Sequence, residues 1–193
     1  DLITALLAKE ELKANPGATI IYDLRSSRVL PEEITKAGGT PVRERVGHAF
    51  IKQTMRNHNA VFGGEVTGHY YFRDNFYADN GFIPVLLVLE LMSIRGQTLQ
   101  ELLTPLWNRY FISGEINTAF PEHHQAAAKF DLLLSRYGDG RVYQMDGVSV
   151  EYPTWHFNVR LSNTEPMLRL NLEATTQTEM TARLDEVLAV IRN

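Results

Sequence analysis

The stretch ATIIYDLRSSRVLPEEITKAGGTPVRERVGHAFIKQTMRNHNAVFGG, residues 18–64, decides the fold of this chain. Short apolar, β-branched runs alternate in it with segments whose apolar spacing is helical. The predicted strands are 18–22, 40–43 and 60–62, and the predicted helices are 28–36 and 46–56. Such alternation predicts a largely parallel sheet, whose ligand-facing loops lie at the carboxyl ends of the strands.

The segments on either side of this stretch extend the same domain. A helix is predicted before it at 2–14, and a strand at 70–73 and a helix at 80–93 are predicted after it. Thr98 and Glu101 have the spacing of a capping box, so another helix should begin at Thr98 and run through Pro105 toward Tyr110. Residues 1–113 are therefore expected to form one α/β domain with a mostly parallel mixed sheet.

The pattern changes after Ser113 and Gly114. Strands come in succession there and helices stand apart from them, which is typical of an antiparallel α+β domain. The predicted strands are 112–120, 142–145, 148–152, 155–161 and 167–174, and the predicted helices are 122–137 and 178–191. We expect a second, smaller α+β domain with an antiparallel sheet over residues 114–193.

Composition excludes several classes of function. The 193 residues are 44% hydrophobic and 22% charged, as in folded globular proteins. With no cysteine, disulfides, thiolate metal sites and cysteine nucleophiles are excluded, and any metal must use His, Asp or Glu. A net charge of −4 disfavours a nucleic-acid partner. The longest apolar run, 82–89, is far shorter than the about 20 residues that cross a membrane.

The densest polar group is the loop Arg160–Pro166, RLSNTEP, between two predicted strands. Arg160 and Ser162 project to one face of an extended segment, and Asn163 and Thr164 add further polar groups. An arginine fork with hydroxyl and amide donors suits a phosphate dianion, to which Arg169 could add a second positive charge. The alternative is that these residues are simply turn formers.

A second group is the glycine-rich loop GGEVTGH, residues 63–69, after a predicted strand. Glu65, Thr67 and His69 alternate, so all three would share one face if the loop were extended. A carboxylate beside a hydroxyl suits two neighbouring sugar hydroxyls. The alternative is a glycine-rich turn with a capping histidine.

A third group pairs Arg25, at the end of the first strand, with His48, near the start of a helix. A single histidine near a helix start is more often structural than catalytic. The side chains of His123 and His124 are adjacent on a predicted helix and therefore point in different directions. They are poorly placed to bind one metal ion, so we interpret them as surface residues.

Together these loops resemble the α-D-phosphohexomutase family, specifically its phosphomannomutase/phosphoglucomutase branch. The resemblance spans the chain but covers only the last two of the family's four domains. GEVTGH, residues 64–69, is similar to the family's sugar-binding loop, with Val66 and Thr67 where Met and Ser are usual. Arg160–Pro166 is similar to the phosphate-binding loop of the final domain.

The resemblance implies residue roles. Glu65 and Thr67 would hold two sugar hydroxyls away from C2, so that mannose and glucose phosphates share one site, and His69 would support their loop. His48 and Arg25 would lie near the transferring phosphoryl group, as positioning or proton-transfer residues; many relatives have Lys at the position of Arg25. The residues implied to hold the non-reacting phosphate are Arg160, Ser162, Asn163 and Thr164.

The implied activity is that of an isomerase of carbohydrate metabolism in the cytoplasm. Hexose 6-phosphate and hexose 1-phosphate, of mannose or glucose, would interconvert through a phosphoserine and a hexose 1,6-bisphosphate. The family's serine loop, Thr-Ala-Ser-His-Asn-Pro, and its Asp-rich Mg²⁺ loop do not occur in this sequence. The nucleophile and Mg²⁺ are therefore expected on N-terminal domains of the same enzyme, and these 193 residues alone are expected to be inactive.

Two alternatives remain open from sequence. One is a stand-alone, non-catalytic phosphosugar-binding module that uses the same loops. The other is a fragment of a phosphoglucosamine mutase, although such relatives usually carry Gln where this chain has Val66. The start at Asp1, without an initiator methionine, favours the expectation of a chain cut from a larger enzyme.

Overall fold

A computed structural model describes all 193 residues, which divide into two compact units, residues 1–109 and 110–193. No helix of the chain has the length and apolar character needed to cross a bilayer. The first unit consists of α1 (Leu2–Ala14), β1 (Thr19–Asp23), α2 (Val29–Lys36), β2 (Thr40–Glu44), α3 (His48–Asn57), β3 (Phe62–Gly64), β4 (Tyr70–Phe72), α4 (Phe82–Arg95) and α5 (Leu99–Leu103).

The sheet of the first unit has the strand order β2-β1-β3-β4. Strand β1 pairs in parallel with β2 and with β3, while β4 is antiparallel to β3. The structure therefore confirms the predicted mixed, mostly parallel sheet. The carboxyl ends of β1 and β3 lie side by side, because Tyr22 pairs with Gly64. Arg25 and Glu65, which follow these ends, are brought together by that register.

Two glycines on β3 explain how closely the helices pack on the sheet. A Cβ on Gly63 would lie 2.9 Å from the sulfur of Met55 on α3, and one on Gly64 would lie 2.4 Å from Cγ2 of Thr4 on α1. Successive strand residues point to opposite faces, so the two helices cover the two faces of β3. This close packing fixes the end of β3, where the predicted sugar-binding loop begins.

Three of the helix ends that differ from the prediction have a local cause in the sequence. Helix α3 begins at His48 because Gly47, with φ of +131°, ends the preceding segment. Helix α4 begins at Phe82, since the Asn80 side chain accepts hydrogen bonds from the first backbone amides and so caps the helix. The helix expected to reach Tyr110 ends at Leu103, because Pro105 has no N–H to continue it.

The second unit consists of β5 (Phe111–Ala119), α6 (His123–Tyr137), β6 (Arg141–Tyr143), β7 (Val148–Glu151), β8 (Trp155–Leu161), β9 (Met167–Ala174) and α7 (Gln177–Arg192). Its five strands have the order β5-β9-β8-β7-β6 and are all antiparallel, as predicted. Strand β5 begins before the boundary that we expected at residue 114. Its register shifts between Ile112 and Glu115, around Gly114.

Alternation along β8 separates an apolar face from a polar one. Phe157 and Val159 are fully buried in a core that also contains residues of α6 and α7. Asn158 and Arg160 alternate with them and therefore lie on the opposite face. The polar face carries Arg160 toward the end of β8, where the predicted phosphate loop begins.

Candidate functional site

The loop after β3 is a closed turn. The backbone amide of Glu65 donates to the carbonyl of His69 at 2.9 Å, and that of Gly68 donates to the carbonyl of Glu65 at 3.1 Å. Gly68 has φ of +85°, a conformation that glycine adopts without strain. The shared face expected for Glu65, Thr67 and His69 depended on an extended loop, and the turn does not provide it. Glu65 is 3% exposed, whereas Thr67 lies on the surface.

The buried carboxylate of Glu65 is held at both oxygens. The hydroxyl of Tyr71 donates to Oε1 at 2.6 Å, and Nη2 of Arg25 lies 3.8 Å from Oε2. Burial, together with the hydrogen bond to Glu65, raises the pKa of Tyr71 far above its ordinary value, so its hydroxyl keeps its proton. Glu65 therefore has a fixed orientation before any ligand binds.

Asp23 connects Arg25 to the turn after β3. Its carboxylate accepts from Arg25 Nη2 at 2.7 Å and from the backbone amide of Val66 at 3.0 Å, and it is completely buried. Sequence reasoning missed Asp23, although its place at the carboxyl end of β1 was the available signal. The side chain of Arg25 is 5% exposed, so its charge lies inside this network and is opposed by two carboxylates.

His48, His69 and Asp79 form a second cluster in the first unit. His69 Nδ1 lies 2.7 Å from Asp79 Oδ2, and His48 Nδ1 lies 3.8 Å from the same oxygen. The two imidazole rings are 4.3 Å apart, centre to centre. The structure thus places His48 beside His69. Asp79 has no signal in the sequence pattern, because it lies in the irregular segment between β4 and α4.

The cluster does not fit Mg²⁺. Its candidate ligand atoms, one from each side chain, all lie within 4.8 Å of one another. Two of them are imidazole nitrogens and one is a carboxylate oxygen, whereas Mg²⁺ prefers six oxygens in octahedral geometry. These three side chains are therefore a poor ligand set for Mg²⁺.

In the second unit, two arginines face each other across neighbouring strands. Arg160 pairs in register with Arg169, and both contact Glu115, at 3.4 Å from Nη2 of Arg160 and at 3.0 Å from Nη1 of Arg169. Like charges directly opposite are unfavourable in a sheet. The buried Nε atoms of both arginines have no hydrogen-bond partner. The pair therefore has positive charge and donor capacity available for an anion.

The loop from Ser162 to Thr164 adds hydroxyls beside these arginines. Ser162 is buried, and its Oγ lies 3.4 Å from Nη2 of Arg169 and 3.4 Å from Oγ1 of Thr164. The backbone amide of Thr164 also points to Ser162 Oγ, at 3.4 Å. The structure brings together Arg160, Ser162, Thr164 and Arg169, while Asn163 lies exposed at the tip of the loop.

Both units match models of one enzyme family, in its third and its C-terminal domain. Residues 1–110 match the family described as phosphoglucomutase/phosphomannomutase, alpha/beta/alpha domain III, and residues 115–190 match its C-terminal domain. The chain therefore belongs to the phosphoglucomutase/phosphomannomutase family, as the resemblance predicted.

Individual relatives agree with this membership. The chain is 41% identical over 193 residues to phosphomannomutase of Escherichia coli, covering 98% of this chain and 42% of that protein. A solved phosphoglucomutase/phosphomannomutase family protein of Burkholderia thailandensis is 30% identical with a TM-score of 0.85, covering 99% of this chain and 41% of the other. The chain thus spans less than half the length of these relatives.

A more distant structure shows the same fold. N-acetylphosphoglucosamine mutase of Aspergillus fumigatus, in complex with GlcNAc-6P and magnesium, has a TM-score of 0.70 at 16% identity, covering 99% of this chain and 43% of that one. At this identity the likeness is one of fold alone.

Proposed function

We propose that this chain is the substrate-holding half of a phosphomannomutase/phosphoglucomutase. The complete enzyme would interconvert hexose 6-phosphate and hexose 1-phosphate through a phosphoserine and a hexose 1,6-bisphosphate. The serine would give its phosphoryl group to a free hydroxyl of the sugar phosphate, and it would regain one from the other end of the bisphosphate. The serine and Mg²⁺ would belong to N-terminal domains, and the enzyme would act on hexose phosphates in the cytoplasm.

The paired arginines of the second unit carry this proposal. Arg160 and Arg169 oppose each other in register, and both contact one carboxylate, that of Glu115. A bound dianion would reduce the electrostatic repulsion between the two arginines. Ser162 and Thr164 supply hydroxyls at the same place. A planar guanidinium can grip two phosphate oxygens, and hydroxyls can satisfy the remaining lone pairs. We assign this loop to the phosphate that is not transferred, with Asn163 contributing from the tip.

The turn in the first unit would bind the sugar. Glu65 is oriented by Tyr71 and by the charge of Arg25, so its carboxylate is prepared to accept from sugar hydroxyls. Thr67 on the surface of the same turn would add a second contact. Because the phosphate and the hydroxyls would be held separately, the reacting end of the sugar is left free for transfer, and phosphoryl transfer depends mainly on such positioning.

We assign Arg25 an electrostatic and positioning role. Its guanidinium cannot readily release a proton, so general acid catalysis at this position is disfavoured. Its buried contacts to Asp23 and Glu65 support a role in orienting the sugar loop. His48 is half-exposed beside His69 and remains our candidate for positioning or proton transfer near the moving phosphoryl group.

Titration calorimetry tests the phosphate site. Mannose 1-phosphate, glucose 1-phosphate and inorganic phosphate are titrated into the unaltered chain, Arg160→Ala and the control Arg192→Ala, which removes the same charge from the exposed end of α7. We expect Arg160→Ala to weaken all three ligands by about tenfold or more, since a bidentate charged contact is lost. Equal affinity in the three proteins would refute the assignment.

A second assay tests whether these 193 residues catalyse the reaction without the N-terminal domains. The 193-residue chain is incubated with mannose 1-phosphate and glucose 1,6-bisphosphate, and formation of mannose 6-phosphate is followed. We expect no turnover, because the sequence contains no Thr-Ala-Ser-His-Asn-Pro motif. Turnover abolished by Arg160→Ala would show that this chain carries the nucleophile itself.

A further inference from the structure

The segment before α4 places one carboxylate, Asp79, against two histidines of the first unit. Oδ2 of Asp79 is 2.7 Å from Nδ1 of His69, which is a hydrogen bond, and 3.8 Å from Nδ1 of His48, which is too far for one. Asp79 therefore forms a hydrogen bond with His69 but not with His48, which lies close to it.

The backbone of β4 holds Asp79 in this orientation. The amide of Tyr70 donates to Oδ1 at 3.2 Å, and residue 79 forms an isolated β-bridge with Tyr71. On the other side, the amide of Asn80 donates to the carbonyl of Tyr70 at 3.0 Å, and its side chain caps α4. One carboxylate oxygen is thus tied to the strand while the other is aimed at His69.

A carboxylate accepts hydrogen bonds and donates none. The short contact therefore requires the proton of the neutral His69 ring to lie on Nδ1, which leaves Nε2 as an acceptor. We propose that Asp79 is a positioning residue that fixes the tautomer and orientation of His69, so that Nε2 accepts a hydrogen bond from a hydroxyl of the bound hexose phosphate. The sugar contact rests on the proposed function; the tautomer does not.

Nitrogen NMR of the ¹⁵N-labelled chain reads the tautomer directly. The signal of His69 is identified by its loss in His69→Gln. We expect a protonated Nδ1 in the unaltered chain, loss of that state in Asp79→Asn, and its retention in Asp79→Glu, which keeps a carboxylate. Asp74→Asn is the matched control, because Asp74 lies in the same segment, is 84% exposed and contacts Arg73. A proton on Nε2 in the unaltered chain, or an unchanged pattern in Asp79→Asn, would overturn the proposal.

Calorimetry separates the sugar contact from the phosphate site. Asp79→Asn is expected to lower the affinity for mannose 1-phosphate by about threefold to tenfold, the equivalent of one hydrogen bond, and to leave inorganic phosphate unchanged. Equal affinity for mannose 1-phosphate in Asp79→Asn and Asp74→Asn, or a parallel loss for both ligands, would overturn the sugar contact. If the unaltered chain binds no hexose phosphate, the proposed function fails, while the NMR result still decides the role of Asp79.

Discussion

The hydroxyl of Tyr71 donates a 2.6 Å hydrogen bond to the buried carboxylate of Glu65. Tyr71 lies on β4 and is completely buried, and Glu65 begins the turn that joins β3 to β4. The hydrogen bond therefore spans the turn and fixes the carboxylate against the sheet. A buried carboxylate is costly to desolvate, so the free energy of folding depends on the hydrogen bonds and charges that surround it.

Tyr71→Phe removes this donor without removing the ring. One oxygen of Glu65 is left buried and unsatisfied, so we expect a loss of about 1–3 kcal/mol in the free energy of unfolding. We also expect weaker binding of mannose 1-phosphate but not of inorganic phosphate. Urea unfolding and calorimetry measure the two effects.

The matched control is Tyr70→Phe, on the same strand. Tyr70 lies next to Tyr71 and therefore points to the other face of the sheet. A similar loss of mannose 1-phosphate affinity in both variants would show that the effect comes from the strand as a whole and not from Glu65.

Gly68→Ala tests whether the turn must be closed. Gly68 and Gly96 have φ of +85° and +60°, and neither has an atom within 4 Å of where a Cβ would stand. Each substitution should therefore lower the free energy of unfolding by a similar amount, about 1 kcal/mol, through backbone strain. Only Gly68→Ala should weaken sugar binding, since Gly96 caps the far end of α4. Equal sugar affinities, measured by calorimetry, would refute a binding role for the turn.

The general fold could be predicted from sequence because its signals are local. The alternation in residues 18–64 defined the parallel sheet, and the rule that ligand loops follow strand ends selected Arg25 and Glu65. The helix expected through Pro105 was wrong beyond Leu103, since the capping box marked where it begins while the missing N–H of the proline decided where it ends.

Much of the site could not be predicted, because its partners are set by register and turns. Contact between Glu115 and the arginines depends on the pairing of β5 with β9, far away in sequence. Asp79 and His69 meet only because an irregular segment folds back on β4. The shared face assumed for Glu65 and Thr67 failed because Gly68 turns the chain.

Acid pH should destabilise the first unit through Glu33. The carboxylate of Glu33 on α2 is buried and accepts from Lys9 at 2.8 Å and from Arg109 at 2.7 Å. Burial alone would raise its pKa, but the hydrogen bonds from Lys9 and Arg109 outweigh it and lower the pKa below the ordinary value of 4.5. The contribution of the Glu33 carboxylate to the free energy of unfolding is therefore fully present above about pH 4.5. It is lost as the pH falls through the folded-state pKa of Glu33.

Glu33→Gln should remove this pH-dependent part. We expect the variant to have a lower melting temperature than the unaltered chain at pH 7, and the difference to shrink as the pH falls from 4.5 toward 3. Glu90→Gln, at an exposed position on α4, serves as the control. A constant difference in melting temperature over that pH range would contradict the assigned pKa shift.

Glu115 competes with the phosphate that the second unit is proposed to bind. It is the carboxylate that both Arg160 and Arg169 contact, so a phosphate dianion must share or displace those contacts. Glu115→Gln keeps the size of the side chain and removes its charge. We expect the affinity for inorganic phosphate to rise by about threefold or more, and the free energy of unfolding without phosphate to fall by about 1 kcal/mol, because the opposed arginines then repel each other.

Two measurements test whether Glu115 competes with phosphate for the two arginines. Calorimetry at low and moderate salt gives the phosphate affinity, whose dependence on ionic strength should become steeper in Glu115→Gln as the site gains positive charge. Urea unfolding with and without saturating phosphate should show that phosphate restores the stability lost in this variant, since a ligand that binds only the folded state stabilises it. Lower phosphate affinity in Glu115→Gln would mean that the carboxylate orients the arginines for the anion and does not compete with it.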